Sequence, residues 1–249
     1  KIFLKIDILN NSKLKLILYF IDKIMNCIIQ ARMSSKRLPG KTLKKINNYP
    51  ILKILLNNLK KSNKIKKIIV ATSRNQKDKK IIKYCKINKI DYYEGALHNV
   101  FKRLLNCAKH YKFEYFIRIN GDSPFIDAKL INKIINKSKK KKYDIYTNVF
   151  PRSFPKGQSV EIIKTSIMEG LNFKLNKSQR EHVTKYFYDN SKKYKIYNFH
   201  NSLNYSKFNL SIDYKIDLIK FRKIFKKYTL NKYYSYKKLL ELELKYEKN

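Results

Sequence analysis

The stretch from Cys27 to Lys41 reads C-I-I-Q-A-R-M-S-S-K-R-L-P-G-K, an apolar start running straight into a loop with Arg32, Ser34, Ser35, Arg37 and Lys41. These residue types in this order suit a polyanion. Guanidinium groups grip phosphate oxygens two at a time, the Lys41 ammonium adds a point charge, and the serines offer hydroxyls and backbone N–H groups. The loop follows neither G-x-x-x-x-G-K-[ST] nor G-x-G-x-x-G, the two common glycine-rich phosphate patterns. It points to a nucleoside triphosphate handled by an enzyme. Two carboxylates supply complementary chemistry. Asp122 lies in the turn N-G-D-S-P straight after Phe116-Ile117-Arg118-Ile119, and Asp213 follows Leu210-Ser211-Ile212. Taken alone, a turn aspartate such as Asp122 is more often a turn former or helix cap. At two strand ends beside a phosphate-binding loop, the pair meets the need of Mg2+, which takes one or two carboxylates with phosphate oxygens and waters.

Strand and helix signals alternate around these residues. Pro50 stands where a helix takes a first-turn proline, with Ile51, Leu52, Leu55, Leu56 and Leu59 behind it at helical spacing. Residues 68–72 read as a short buried strand ending at Ser73-Arg74-Asn75, and 77–86 as a helix with Ile81, Ile82 and Cys85 inward. Residues 90–93 give a strand ending at Glu94-Gly95, 100–108 a helix, 115–119 a strand, 128–138 a helix and 143–147 a strand. Such alternation predicts an α/β fold: a mostly parallel, Rossmann-like sheet with helices on both faces. Ligands of such sheets bind beyond the carboxyl ends of the strands. The loops at 31–41, 73–75, 94–95 and 120–124 therefore share one rim. The second half reads as a loop at 151–157, a strand at 159–163, a helix at 179–189, a strand at 208–212 and an amphipathic helix from Tyr236. Residues 25–249 form a single domain in this reading. Residues 1–24 are an N-terminal extension or the end of a truncated segment, whose longest apolar run, Leu16 to Ile21, falls far short of a bilayer span.

The motifs Q-A-R-M-S-S-K-R-L-P-G-K, I-V-A-T-S, R-I-N-G-D-S-P-F-I-D, P-R-S-F-P-K-G-Q-S-V-E and R-E-H-V-T follow in order between about Met25 and Phe225. Together they resemble the spore-coat-polysaccharide type of cytidylyltransferase, related to the acylneuraminate and 3-deoxy-manno-octulosonate cytidylyltransferases. The resemblance implies a nucleotide-diphosphosugar transferase (GT-A-like) architecture. It implies transfer of CMP from CTP to a sugar acid with Mg2+ and release of pyrophosphate, for surface polysaccharide synthesis, by a homodimer. Arg32, Ser34, Ser35, Arg37 and Lys41 match the triphosphate loop, and Asp122 and Asp213 the metal aspartates. Arg32, Lys41, Asp122 and Asp213 form the implied catalytic set. Ala31, Thr72, Ser73, Arg74, Gly95 and Arg103 fall on the nucleotide side, although Arg103 on a helix can equally be an ion-pair partner. Arg152, Glu161, Arg180, Glu181 and His182 match segments expected to line the acceptor side, with His182 a general base or a hydrogen-bonded neighbour. Arg118, within a strand, reads as structural. Departures from the family pattern are Gln158 and Ser159 in place of leucine and aspartate, Asn99 in place of aspartate, and Tyr214-Lys215-Ile216 in place of T-P-E.

The chain has 249 residues and a net charge of +40, which ordinarily suggests nucleic acid or an anionic membrane as partner. Here lysine, asparagine, isoleucine and tyrosine are inflated together while Gly (5), Pro (5) and Trp (0) are scarce, the mark of an AT-rich coding sequence. Lysine is then spread everywhere, runs such as Lys139 to Lys142 read as solvated faces, and neither nucleic acid nor membrane is expected as a partner. Scarce residues gain weight for the same reason: 8 of the 58 basic residues are arginines, and two of those stand in the first loop. Cys27, Cys85 and Cys107 lack C-x-x-C spacing and sit among apolar neighbours, so they read as buried free thiols suited to a reducing cytoplasm. Two rival readings stand beside the cytidylyltransferase: a nucleotide-sugar glycosyltransferase or nucleotidyltransferase of other base preference, and a non-catalytic basic protein that binds nucleic acid. The R-L-P-G-K loop without a D-x-D motif favours nucleotidyl transfer over glycosyl transfer.

Overall fold

The computed structural model describes residues 24–138, 142–171, 173–229 and 234–247. The extension expected at residues 1–24 lies outside the described residues apart from Ile24, as does the lysine run apart from Lys142. The strands, in chain order, are β1 (Met25–Gln30), β2 (Lys45–Ile46), β3 (Tyr49–Pro50), β4 (Ile65–Ser73), β5 (Asp91–Gly95), β6 (Tyr115–Asn120), β7 (Ile145–Thr147), β8 (Glu161–Lys164) and β9 (Ile196–Asn198). The α-helices are α1 (Ile51–Leu59), α2 (Lys79–Ile87), α3 (Val100–His110), α4 (Ala128–Lys137), α5 (Lys177–Glu181), α6 (Lys185–Asp189), α7 (Lys215–Lys227) and α8 (Tyr236–Glu247).

Seven strands form one sheet in the order β5-β4-β1-β6-β8-β7-β9, and β2 pairs with β3 in a separate hairpin. The pairs β5–β4, β4–β1, β1–β6 and β7–β9 are parallel, while β8 runs antiparallel to both β6 and β7. The mostly parallel sheet is therefore present, with one correction: the strand at Tyr143 to Thr147 does not extend the parallel repeat, because β8 inserts between it and β6.

Helices cover both faces, which is why the central strands read as unbroken apolar runs. On one face Ile29, Val70 and Ile119 pack against α1, α4, α7 and α8. On the other, Ile28, Ile69 and Phe116 meet Phe101 and Leu104 of α3 and Phe187 of α6. Cys27, Cys85 and Cys107 are free and buried, and burial pushes the Cys85 and Cys107 thiols up to about 12, so none is a ready nucleophile. Among the described residues no helix is long and apolar enough to cross a membrane.

Two further expectations are corrected. The helix read over 179–189 is two short helices, α5 and α6, with the chain leaving helical geometry at His182 (φ −101°, ψ 86°). Tertiary contacts break it: Val183 is fully buried and Thr184 nearly so, while Glu181 turns to a partner outside the helix. The strand read over 208–212 is an irregular segment with a single bridge, Lys156 to Asn209. It is held by Lys156 N–H on the Phe208 carbonyl (3.0 Å) and Leu210 N–H on the Lys156 carbonyl (2.9 Å). Gly157 permits this approach. Its φ is +87°, and a Cβ would lie 2.6 Å from the Leu210 carbonyl carbon. Gly157→Ala is expected to destabilise the fold by roughly 2 kcal/mol or more, combining left-handed backbone strain with a clash that backbone must absorb. Urea unfolding measures this, and an unchanged midpoint would show that the 208–212 segment yields freely.

Candidate active site

The first loop leaves the carboxyl end of β1 and is pinned at several points. Gly40, at φ +71°, donates its N–H to the Met33 carbonyl (2.9 Å), and the Thr42 hydroxyl donates to the Arg32 carbonyl (3.1 Å). The Ser35 hydroxyl accepts from Leu38 N–H at 3.3 Å. Asp78, fully buried, accepts from Met33 N–H (2.6 Å) through one oxygen and from the Ser73 hydroxyl and N–H through the other. It thus ties the loop to the end of β4. The turn after β6 presses on the same loop: Gly121 donates to the Gln30 carbonyl at 2.9 Å, and a Cβ there would stand 2.9 Å from that oxygen.

Three residues far apart in the chain meet on this rim. The Lys41 ammonium lies 2.8 Å from Asp122 Oδ2 and 2.9 Å from Asp213 Oδ1. Arg37 Nη2 lies 2.5 Å from Asp213 Oδ1, and its guanidinium sits 5.1 Å over the Tyr214 ring. Asp213 is placed from two sides. Ile212 N–H donates to the Asp122 carbonyl (2.9 Å), and Asp217 in the first turn of α7 accepts from Asp213 N–H (2.9 Å) and Tyr214 N–H (2.8 Å). Two carboxylates therefore face two cations in a cluster that is charge-balanced yet open. The Lys41 side chain is 12% exposed and those of Asp122 and Asp213 are 23% and 21%.

The remaining expected residues divide. Arg32 stands on the same loop but pairs with Glu181 of α5, at 2.5 Å and 3.4 Å. Ala31 is buried beside Gly121, and Ser34 is half-buried on the loop. Arg74 and Gly95 line a cavity of about 520 Å³ with Asn75, Tyr93, Ala96, Leu97, Lys102 and Asn106, at the carboxyl ends of β4 and β5. Thr72 and Ser73 are both fully buried at the end of β4; the Ser73 hydroxyl donates to Asp78, while the Thr72 hydroxyl has no hydrogen-bond partner among the described residues. Arg103 is no surface ion-pair partner. It is 1% exposed, packs on Gly95 and donates to the Ala96 carbonyl at 2.6 Å. Burial first, and then the Arg32 charge, lower its pKa to about 10.

Among the residues expected to line an acceptor, Arg152 donates to Ser159 Oγ (3.1 Å) and to the Pro155 carbonyl (3.5 Å). Glu161 is buried, bonded by Arg118, and accepts from the Tyr188 hydroxyl at 2.6 Å. Burial pushes the Glu161 carboxyl up, but the Arg118 charge and hydrogen bonds from Tyr188, Thr184 and Arg118 outweigh it and hold the group below the usual carboxylate range. Glu161 is thus part of the frame, as Arg118 was expected to be. Arg180 and His182 are exposed where α5 ends. Of the departures, Asn99 caps α3 by accepting from Lys102 N–H (2.8 Å). Buried Gln158 accepts from Asp127 N–H (2.9 Å) and donates to the Phe125 carbonyl (2.8 Å), tying the 151–158 segment to the stretch after the Asp122 turn.

Asp78, Asp217 and Tyr188 escaped the sequence reading. A lone acidic residue in a lysine-rich stretch was the available signal for Asp78. Asp217 closes the I-D-Y-K-I-D segment, but nothing local marked it as a helix start. For Tyr188, one of 20 tyrosines, there was no signal.

Residues 26–248 match the family model described as Cytidylyltransferase. An uncharacterised protein of Methanocaldococcus jannaschii is 37% identical over 172 residues, covering 68% of this chain and 69% of that protein. The spore coat polysaccharide biosynthesis protein SpsF of Bacillus subtilis is 28% identical over 175 residues, 68% of this chain and 72% of SpsF. Among solved structures, a cytidylyltransferase from Leptospira borgpetersenii superposes with a TM-score of 0.83 at 29% identity, over 91% of this chain and 95% of that one.

Proposed function

The chain belongs to the cytidylyltransferase family, and from that premise we propose that it transfers CMP from CTP to a sugar acid, releasing pyrophosphate, in the making of a surface glycan. The observation that carries this reading is the meeting of Lys41 with Asp122 and Asp213 at the carboxyl ends of the strands. A hydroxyl oxygen of the acceptor attacks the α-phosphorus, the bond to the α–β bridging oxygen breaks, pyrophosphate leaves with the electron pair, and the hydroxyl proton passes to solvent. Little covalent chemistry falls to the protein, so positioning and charge neutralisation do most of the catalysis. Lys41, Arg37 and Arg32 stabilise the departing pyrophosphate. The Arg152 guanidinium, whose bonds are to a hydroxyl and a carbonyl, keeps its charge available for the acceptor carboxylate.

The donor set suits magnesium. Asp122 and Asp213 already share one cation, the Lys41 ammonium, and their two carboxylates would hold a divalent ion. Among the described residues no group of three or more His, Cys, Asp and Glu forms a closed cage, so waters and phosphate oxygens would complete the shell. Bound there, magnesium supplies neutralisation of charge on the α-phosphoryl group.

Pyrophosphate release measured with CTP, UTP, ATP, GTP and dTTP, each against a panel of sugar acids and neutral sugars, tests the reading. Turnover is expected with CTP and an acceptor bearing a carboxylate. Equal turnover with other bases, or none with CTP and any sugar acid, would overturn it.

A further inference from the structure

Arg32 is the loop cation whose partner comes from across the sheet. Glu181 holds it in a two-point contact, with carboxylate oxygens 2.5 Å and 3.4 Å from the two terminal nitrogens, the fork geometry in which a guanidinium also takes phosphate. The pair is accessible rather than sealed, with side chains 32% and 34% exposed. Behind it lies Arg103, whose charge opposes that of Arg32 and whose Nε is buried without a hydrogen-bond partner. The other nearby carboxylate, Asp78, is already bonded by Ser73 and by Met33 N–H. Asp78 and Glu181 both offset the Arg103 charge, but Glu181 is the carboxylate that touches Arg32, and an anion carrying more charge than a carboxylate would meet that fork better. Glu181 is also the last residue of α5, and the backbone departs from helix at the next position. Its side chain can leave Arg32 without unwinding a long element.

We infer that Glu181 stands in for a phosphate on Arg32 and competes with the incoming triphosphate, so that it sets the affinity of the site for its anion. The inference rests on the nucleotide reading only in naming a triphosphate as that anion. A supporting role, in which Glu181 props Arg32 in its working position, makes the opposite forecast.

Calorimetric titration with inorganic tripolyphosphate and separately with CTP, in EDTA so that only the chain's own cations act, separates them. Glu181→Gln is expected to bind both probes roughly twofold to fivefold tighter than the natural chain, the size of effect that loss of a partly exposed ion pair produces. In an Arg32→Gln background the same change should give no gain. Glu181→Asp, which keeps the charge on a shorter arm, should fall between, and serves if Glu181→Gln does not fold. Unchanged or weaker tripolyphosphate binding, a gain that persists without Arg32, or no binding by any variant would overturn the inference. Tripolyphosphate behaving as described while CTP fails to bind would leave Glu181 in this role and remove the nucleotide reading. CTP binding equally to both forms would do the reverse.

Discussion

Asp122→Asn is expected to lower kcat/KM for CTP-dependent pyrophosphate release by roughly 10²- to 10³-fold, the range seen when one preorganised electrostatic group is removed from a reacting centre. The substitution keeps the size of the side chain and its contact with the Ser123 hydroxyl (3.2 Å), but removes the charge that meets Lys41 at 2.8 Å. Lys41 then rests on Asp213 alone, and a divalent ion held as proposed would lose one of its two carboxylates. The side chain is partly exposed, so the fold should survive and the loss should appear in turnover, with the thermal midpoint nearly unmoved. Asp213→Asn should cost a similar factor. The double variant should cost little more than either, since both carboxylates serve one cation and residues acting as a unit are not additive. Full turnover by Asp122→Asn would take this cluster out of the chemistry altogether.

Glu161→Ala should unfold the protein far more readily without touching the phosphate loop. Arg118 is 9% exposed, and beyond Glu161 its partners are the neutral Gln30 and Asn120 side chains, each at 3.0 Å. Removing the carboxylate leaves a buried cation with no counter-charge and takes from the Tyr188 hydroxyl its bond to Glu161, leaving it the Thr147 hydroxyl at 2.9 Å. Breaking a buried pair from one side costs about 3–5 kcal/mol. For a chain of this size that corresponds to a fall in Tm of roughly 6–20 °C. Glu161→Gln, which keeps an acceptor for Tyr188, should lose less. Acid titration reads the same interaction. The folded carboxyl is held below its ordinary value of 4.5, so its contribution is fully present above that pH and disappears as pH falls through the lower folded value. Glu161→Gln should flatten that part of the stability profile. A midpoint for Glu161→Ala within a degree or two of the natural chain would mean that Arg118 finds water or another partner.

The parts of this architecture that could be read in advance are those set by near neighbours in the chain. The β1 strand and its loop announce themselves because an apolar run ends abruptly at arginines, serines and a Pro-Gly pair. The helix α3 is legible from Val100, Phe101, Leu104, Leu105 and Ala108 on one face, all of them buried. The expected helix over 179–189 failed because Thr184 and Glu181 answer to Glu161 and Arg32, groups that no local window contains. The expected strand at 208–212 failed because its neighbour is a glycine loop, which accepts one bridge and no ladder.

By its own pattern the sequence determined the parallel half of the sheet, the rim to which its loops come, and the residue types able to hold a polyanion. Periodicity and turn chemistry act over a few residues, and they suffice for that much. Which carboxylate each cation takes was decided only by tertiary structure. Lys41 and Asp213 are 172 residues apart, and Arg32 and Glu181 are 149 apart. Their meeting depends on how β8 inserts beside β6, how closely Gly157 lets the 208–212 segment approach, and where α5 ends. Each of these is a packing choice among whole elements, made by the burial of both sheet faces at once.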